Sequence, residues 1–250
     1  EVFGGGVWHP MESARDVLLF YDEFTESCSD DLVSLVQFVT LPDGPLALGV
    51  EVCYFGGVQK GEEYLRPLRE FGSPIGDDVG PTTYVDYQQA SDEVFPEKIQ
   101  NYWKSNFLKR LDARSIDVLI DYAKKIPTPE SVAMIEQVGN GVRRVDTNAT
   151  AFNHREARYS FLICGMTPDP ENNSQIVSWT QEFFDAMTPF TDESVYVNYL
   201  GSQEEEGDDR VLAAYGAGKY ERLVKLKNKY DPSNLFRLNQ NVKPTLNPDR

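Results

Sequence analysis

The sequence predicts an α+β domain: an antiparallel β-sheet covered by helices on one face. Three observations lead there. Strand-like runs meet each other across short turns, as in Pro42-Asp43-Gly44-Pro45 between residues 32–40 and 46–55. Segments with apolar residues at helical spacing, such as 11–28, 60–71 and 115–125, fall between the strand runs in no regular alternation. The repeating strand–helix–strand order of a parallel α/β sheet is therefore missing, and hairpins dominate.

Taken in order, Val2 to Trp8 reads as a strand. Its Gly4-Gly5-Gly6 lacks the spacing and the following helix of a phosphate loop, so the chain is expected to open inside a larger architecture. Met11 to Cys28 reads as a helix, with Val17, Leu18 and Tyr21 on one side. Residues 32–40 alternate and carry Val33, Val36 and Val39, and 46–55 forms the antiparallel partner. Residues 60–71 read as a helix, then 72–96, rich in Gly, Pro and Asp, as an irregular segment with Tyr84, Tyr87 and Gln88. A strand over 99–108 and a helix over 115–125 follow. Residues 131–138 and 141–145 read as strands of a hairpin turned on Gly139-Asn140. A strand over 158–165, a helix within 170–187, a short strand over 195–200, an acidic loop over 204–209, and helices over 211–215 and 219–230 complete the order. Asp231-Pro232 stops the last helix.

A length of 250 residues allows a sizeable core, and 40% hydrophobic residues is ordinary for a globular chain. The net charge of −16 repels phosphates and anionic lipid, so nucleic acid and membrane surfaces are not expected partners. That charge fits a solubilising surface, or adaptation to high salt. Three scattered cysteines, Cys28, Cys53 and Cys164, read as buried free thiols of a reducing, cytoplasmic compartment. With two histidines, His9 and His154, and no CxxC or HExxH pattern, no metal site is expected. No GxSxG element supports a hydrolase triad, and no apolar run reaches the length of a membrane span.

One segment is far more specific. Lys229-Tyr230-Asp231-Pro232-Ser233-Asn234-Leu235-Phe236-Arg237-Leu238-Asn239-Gln240-Asn241-Val242 resembles the closing motif of the berberine-bridge-enzyme-like FAD oxidoreductases. Tyr196-Val197-Asn198-Tyr199 is similar to that family's Tyr-x-Asn-Tyr element, and Phe152-Asn153-His154-Arg155 to its Phe-Pro-His-Arg element. The spacing between the three also fits. The resemblance implies three parts: residues 1–10 as a strand leading out of an FAD-binding domain, 11–190 as the substrate-binding domain, and 191–250 as a segment returning to the FAD domain. The FAD-binding domain itself, with its flavinylated histidine, has no counterpart in this sequence, so the chain is expected to supply the substrate side.

The family moves a hydride from an alcohol or amine to flavin while a protein base takes a proton. By resemblance Tyr199 is the base, with Glu136 as a second catalytic group. Asn198, Asn239 and Gln240 are the expected flavin contacts. Gln37, Gln137 and Ser160 are expected to line the substrate pocket, with Ser160 standing where some members carry a glutamate. Strand alternation over 195–200 would put Tyr199 on the opposite face from Tyr196 and Asn198, a difficulty for this assignment. His154 and Arg155 are expected to be structural, and Arg237 to pair with Asp231. A non-catalytic binding module without a flavin partner is the alternative. A carboxylate hydrolase built on Glu136 and the acidic run finds no ordering element.

Overall fold

The computed structural model describes residues 1–245 apart from positions 43, 93, 94 and 193. Its strands are β1 (Val2–Pro10), β2 (Leu32–Thr40), β3 (Leu46–Tyr54), β4 (Gly76–Asp77), β5 (Gly80–Thr82), β6 (Gln100–Leu108), β7 (Val132–Gln137) and β8 (Tyr159–Thr167). They form one sheet in the order β4-β1-β3-β2-β7-β8-β6, with β5 also on β1. Every pairing is antiparallel. The expected fold class is therefore the observed one.

The helices are α1 (Ala14–Glu26), α2 (Val58–Arg69), α3 (Tyr84–Gln89), α4 (Ala113–Ala123), α5 (Asn140–Arg143), α6 (Asn173–Met187), α7 (Gln203–Glu206), α8 (Asp208–Tyr215) and α9 (Ala217–Tyr230). The main core lies between one sheet face and α1, α2, α4 and α6. It is built from alternate strand residues, such as Val36, Phe38, Leu48, Val50, Ile135 and Phe161, all under 2% exposed. Asp112 caps α4 by accepting from the backbone of Arg114 and Ser115. Gly165 lets α6 approach β8. A Cβ there would stand 2.8 Å from Thr180 Oγ1 and 2.9 Å from Ile176.

Several local expectations fail. Residues 72–96 are not wholly irregular, because β4 and β5 pair with β1 and α3 follows. Asn140-Gly141 does not turn a hairpin; it lies in α5. The reason is competition for β7's free edge. β8 takes that edge from Gln137 onward, and the Val138 amide continues the pairing by donating to the Arg158 carbonyl at 2.8 Å. Residues 204–209 are not a loop, since α7 and α8 occupy most of that run. Val197–Tyr199 is a single 3-10 turn and not a strand, closed by the Tyr199 amide on the Tyr196 carbonyl at 2.8 Å. The Pro42 to Pro45 turn includes Asp43, which lies outside the described residues. Its flanks close with Leu41 N to Pro45 O at 3.2 Å and Gly44 N to Leu41 O at 3.0 Å.

Residues 191–245 pack a small cluster of their own, Val195, Leu200, Val211 and Ala214. The tail beyond α9 is pinned by polar contacts. Asp231 accepts from the amides of Leu235 and Phe236 at 2.7 and 3.1 Å and pairs with Lys227, so Lys227 takes the place expected of Arg237. Those bonds hold the Asp231 carboxyl below its usual range, the Lys227 contact first among them. Leu235, Phe236 and Leu238 point outward, at 74%, 77% and 87% exposed.

Candidate active site

The sheet face away from the main core carries the residues of interest. Directly paired residues share a face, so one row can be followed across six strands: Gly6, Glu51, Leu35, Glu136, Ser160 and Phe107. The next row holds Trp8, Gly49, Gln37, Met134, Leu162 and Ser105. On β2 burial follows the same alternation, whereas β8 is buried at every position. Ser34, Val36 and Phe38 are buried under the helices, while Val33 is 52% exposed on this second face. The main core does not use this face, although its β6–β8 end is itself buried, with Phe107, Ser160 and Leu162 at 2%, 6% and 8% exposed and Val132, Cys164 and Met166 in a small cluster of their own.

Tyr199 reaches this face from the 3-10 turn. Its hydroxyl donates to Glu136 Oε1 at 2.8 Å. The turn is anchored where Trp103 Nε1 donates to the Tyr199 carbonyl at 3.1 Å, and the Tyr196 ring meets the Tyr199 ring edge-on at 5.5 Å. Because the segment is a turn, the alternation difficulty dissolves: Tyr196, Asn198 and Tyr199 need not obey strand parity. Burial raises the Glu136 carboxyl above its usual range, and the facing Tyr199 and Ser160 hydroxyls only partly offset it. The Ser160 hydroxyl, buried opposite Glu136, is close enough to favour the anion yet meets no hydrogen-bond geometry. Tyr199 is also pushed well up, by burial first and then by the Glu136 charge and hydrogen bond.

Gln37 lies on this face too, and its Nε2 donates to Glu51 Oε1. Gln137 does not. It points to the helix side, accepting from Ser34 Oγ at 2.8 Å and donating to the Cys28 thiol. A parity of one residue from Glu136 decides this, and Gln137 belongs to a buried polar network that also includes Tyr21, hydrogen-bonded to Ser34 at 2.9 Å. Asn198 is exposed and donates to the Tyr196 hydroxyl at 2.7 Å. Asn239 is exposed in a left-handed turn, φ 59°. Gln240 spends its amide hydrogens on the carbonyls of Leu200 and Gly201, at 2.9 and 2.7 Å, so it ties the tail to the turn. His154 bonds the Ala213 carbonyl at 2.8 Å. Arg155 is buried and donates to the Val142 carbonyl and Thr150 Oγ1 at 2.8 and 2.7 Å, so both are structural as expected.

Sequence reasoning missed Glu51, Trp8 and the position of Tyr87. The signal was present: in 46–55 Leu48, Val50 and Val52 alternate with Gly49, Glu51 and Cys53, which places the glutamate opposite the core. Trp8 lies over Gly49, where a Cβ would stand 2.5 Å from its ring, and Tyr87 lies over Gly4 at 3.1 Å. A hollow of about 440 Å³ lies elsewhere, on the helix side between α1 and α4, lined by Met11, Arg15, Asp117 and Lys124 among others. It has no part in the carboxylate row. The three cysteines are buried and free, and no cluster of metal-ligating side chains occurs among the described residues. No described helix is long and apolar enough to cross a membrane.

Residues 195–243 match the family model described as berberine and berberine like. An FAD-linked oxidoreductase of Dictyostelium discoideum is 25% identical over 251 residues, covering 99% of this chain and 53% of that protein. A berberine bridge enzyme-like protein, D-1, of Nicotiana tabacum is 26% identical over 199 residues, 67% of this chain and 34% of that one. The chain thus spans about half the length, or less, of these relatives. In fold it is similar to 6-hydroxy-D-nicotine oxidase from Arthrobacter nicotinovorans, with a TM-score of 0.82 at 18% identity, covering 97% of this chain and 55% of that one. Its antiparallel sheet and its C-terminal segment agree in pointing one way: the chain is similar to the berberine-bridge-enzyme-like FAD-linked oxidoreductases, through residues 195–243 in the family model and over nearly its whole length in fold.

Proposed function

We propose that the protein works as an FAD-dependent oxidoreductase on an alcohol- or amine-type substrate, and that this chain supplies the substrate-side wall and the proton acceptor. The observation that carries the reading is the Tyr199–Glu136 hydrogen bond on the sheet face turned away from the main core. When bound, FAD supplies the hydride acceptor. The exposed neutral amides of Asn198 and Asn239 suit the carbonyl and nitrogen edge of a flavin, and both stand near the turn that carries Tyr199. Gln240 acts at one remove, by holding the tail against Leu200 and Gly201. The exposed Leu235, Phe236 and Leu238 form the apolar surface by which residues 191–250 meet an FAD-binding domain. Residues 1–10 and 11–190 then act as one unit, because β1 pairs with β3 along its length.

The proton chemistry differs from a simple tyrosine base. A free phenolate beside Glu136 is disfavoured, since burial and the carboxylate charge both raise the phenol. A relay avoids that anion. The substrate hydroxyl or ammonium gives its proton to the Tyr199 oxygen as the Tyr199 proton passes to Glu136 Oε1. A carboxyl held above its usual range is a stronger proton acceptor at neutral pH than an exposed one. The test uses the protein as its whole gene encodes it, titrated without oxygen against a panel of alcohols and amines while flavin absorption is followed. Bleaching in the wild type, lost in Glu136→Gln and cut about 10²-fold or more in Tyr199→Phe, is the expected result. A folded but colourless protein sinks the flavin reading. Full activity of Glu136→Gln sinks the relay.

A further inference from the structure

We propose that Glu51, with Gln37 beside it, is a specificity-determining residue that takes a hydrogen-bond donor at the end of the substrate remote from the reacting carbon. The inference rests on the reading that Glu136 and Tyr199 mark the reacting end. Glu51 and Glu136 occupy the same cross-strand row on the same face, with Leu35 between them as an apolar floor. Two inter-strand steps separate them, about 9–10 Å along the row. A substrate lying across β2 would therefore meet a carboxyl at each end. Trp8, seated over Gly49, walls Glu51 on one side, and Tyr87, seated over Gly4, walls it on the other.

The chemistry of Glu51 suits recognition better than structure. Its side chain faces away from the main core, and among the described residues no lysine or arginine forms an ion pair with it. Gln37 Nε2 donates to one of its oxygens, while a carboxylate offers about four lone-pair sites. Among the described residues no other hydrogen bond uses its oxygens, so accepting capacity is left over for a ligand. Burial, and then the charge of Asp78, raise its carboxyl above the usual range; the Gln37 bond works the other way. A donor from a ligand would relieve that strain, whether it came from a hydroxyl or from an ammonium.

Three probes with a common alcohol end separate the sources: biphenyl-4-methanol, biphenyl-4,4′-dimethanol and 4′-(aminomethyl)biphenyl-4-methanol. Calorimetric titration of the wild-type protein should show the two far-end donors binding about tenfold or more tighter than the first probe. Glu51→Leu should abolish that preference. Glu51→Gln, which keeps the shape and an acceptor, should keep the hydroxyl preference and lose any excess for the ammonium. Should Glu51→Leu fail to fold by circular dichroism, the wild-type and Glu51→Gln affinities decide. Equal wild-type affinity for all three probes, or no binding of any, overturns the proposal, as does a preference that survives in Glu51→Leu. If the preference stands but no probe reduces the flavin, the oxidoreductase reading fails and the far-end contact remains.

Discussion

Tyr199 and Glu136 set each other's proton affinity, and that coupling can be read without any substrate. The Tyr199 hydroxyl bond lowers the Glu136 carboxyl against the larger effect of burial. Tyr199→Phe removes the donor, so the Glu136 carboxyl should titrate at higher pH than in the wild type, as followed by carbon-13 NMR of labelled glutamate. No upward movement would mean the bond is not formed in solution. Glu136 and Glu51 also make stability depend on pH in a definite direction. Both hold protons more tightly in the folded chain than in the unfolded one. As pH rises from the ordinary carboxyl range, about 4.3, toward the raised folded values, the unfolded chain loses its protons first and stability falls. Above the folded values the cost is constant. Glu136→Gln and Glu51→Gln remove it, so each should raise the Tm at pH about 7 and leave it nearly unchanged at pH about 3. A gain confined to low pH would contradict the assigned direction.

At the level of elements, Gly49 tests how Trp8 is held. A Cβ there would stand 2.5 and 2.8 Å from two atoms of the Trp8 ring. Gly49→Ala should therefore cost about 1–3 kcal/mol in urea unfolding, because the indole must leave its seat. Unchanged stability would show that the ring moves freely. The long periodic elements were legible in the sequence: β2 matches its expected bounds, and α1, α2, α4, α6 and α9 lie within a few residues of theirs. Apolar periodicity reports which face is buried, and these elements bury one. The misreadings share another cause. Val195, Val197 and the tyrosines have strand composition, yet they find no partner strand and close a local turn instead. Asn140-Gly141 has hairpin chemistry, yet β8 already occupies the edge that the hairpin would need. The same limit explains the site. Resemblance pairs Tyr199 with Glu136 as catalytic groups, but their direct contact spans 63 residues and depends on a turn that the strand pattern hides. Gln137 was placed with Glu136 because sequence adjacency hides the one-residue parity that sends it to the other face.

Over the whole molecule, the charge of −16 is carried by a chain with 40 acidic and 24 basic residues. Exposed repulsion of this kind is screened within about 8–10 Å at physiological ionic strength. Raising salt from about 0.01 M to about 0.15 M should therefore raise the Tm, as seen by differential scanning calorimetry. A fall would mean that the surface ion pairs, such as Arg15–Asp117 at 2.9 Å, outweigh the repulsion. The sheet has its own large-scale division. β1 with β3 and β3 with β2 are joined by eight and nine register pairs, and β6 with β8 by nine, but β2 meets β7 over four. That short seam runs between the strand bearing Glu51's neighbours and the strand bearing Glu136. It is the shortest joint among the long strands, since β7 pairs with β8 over six positions, and one carboxyl of the row lies on either side of it. Any shift of register or twist at that joint would change the reach between them, so on the proposed reading the gauge of molecule the face takes depends on the shortest pairing among the long strands.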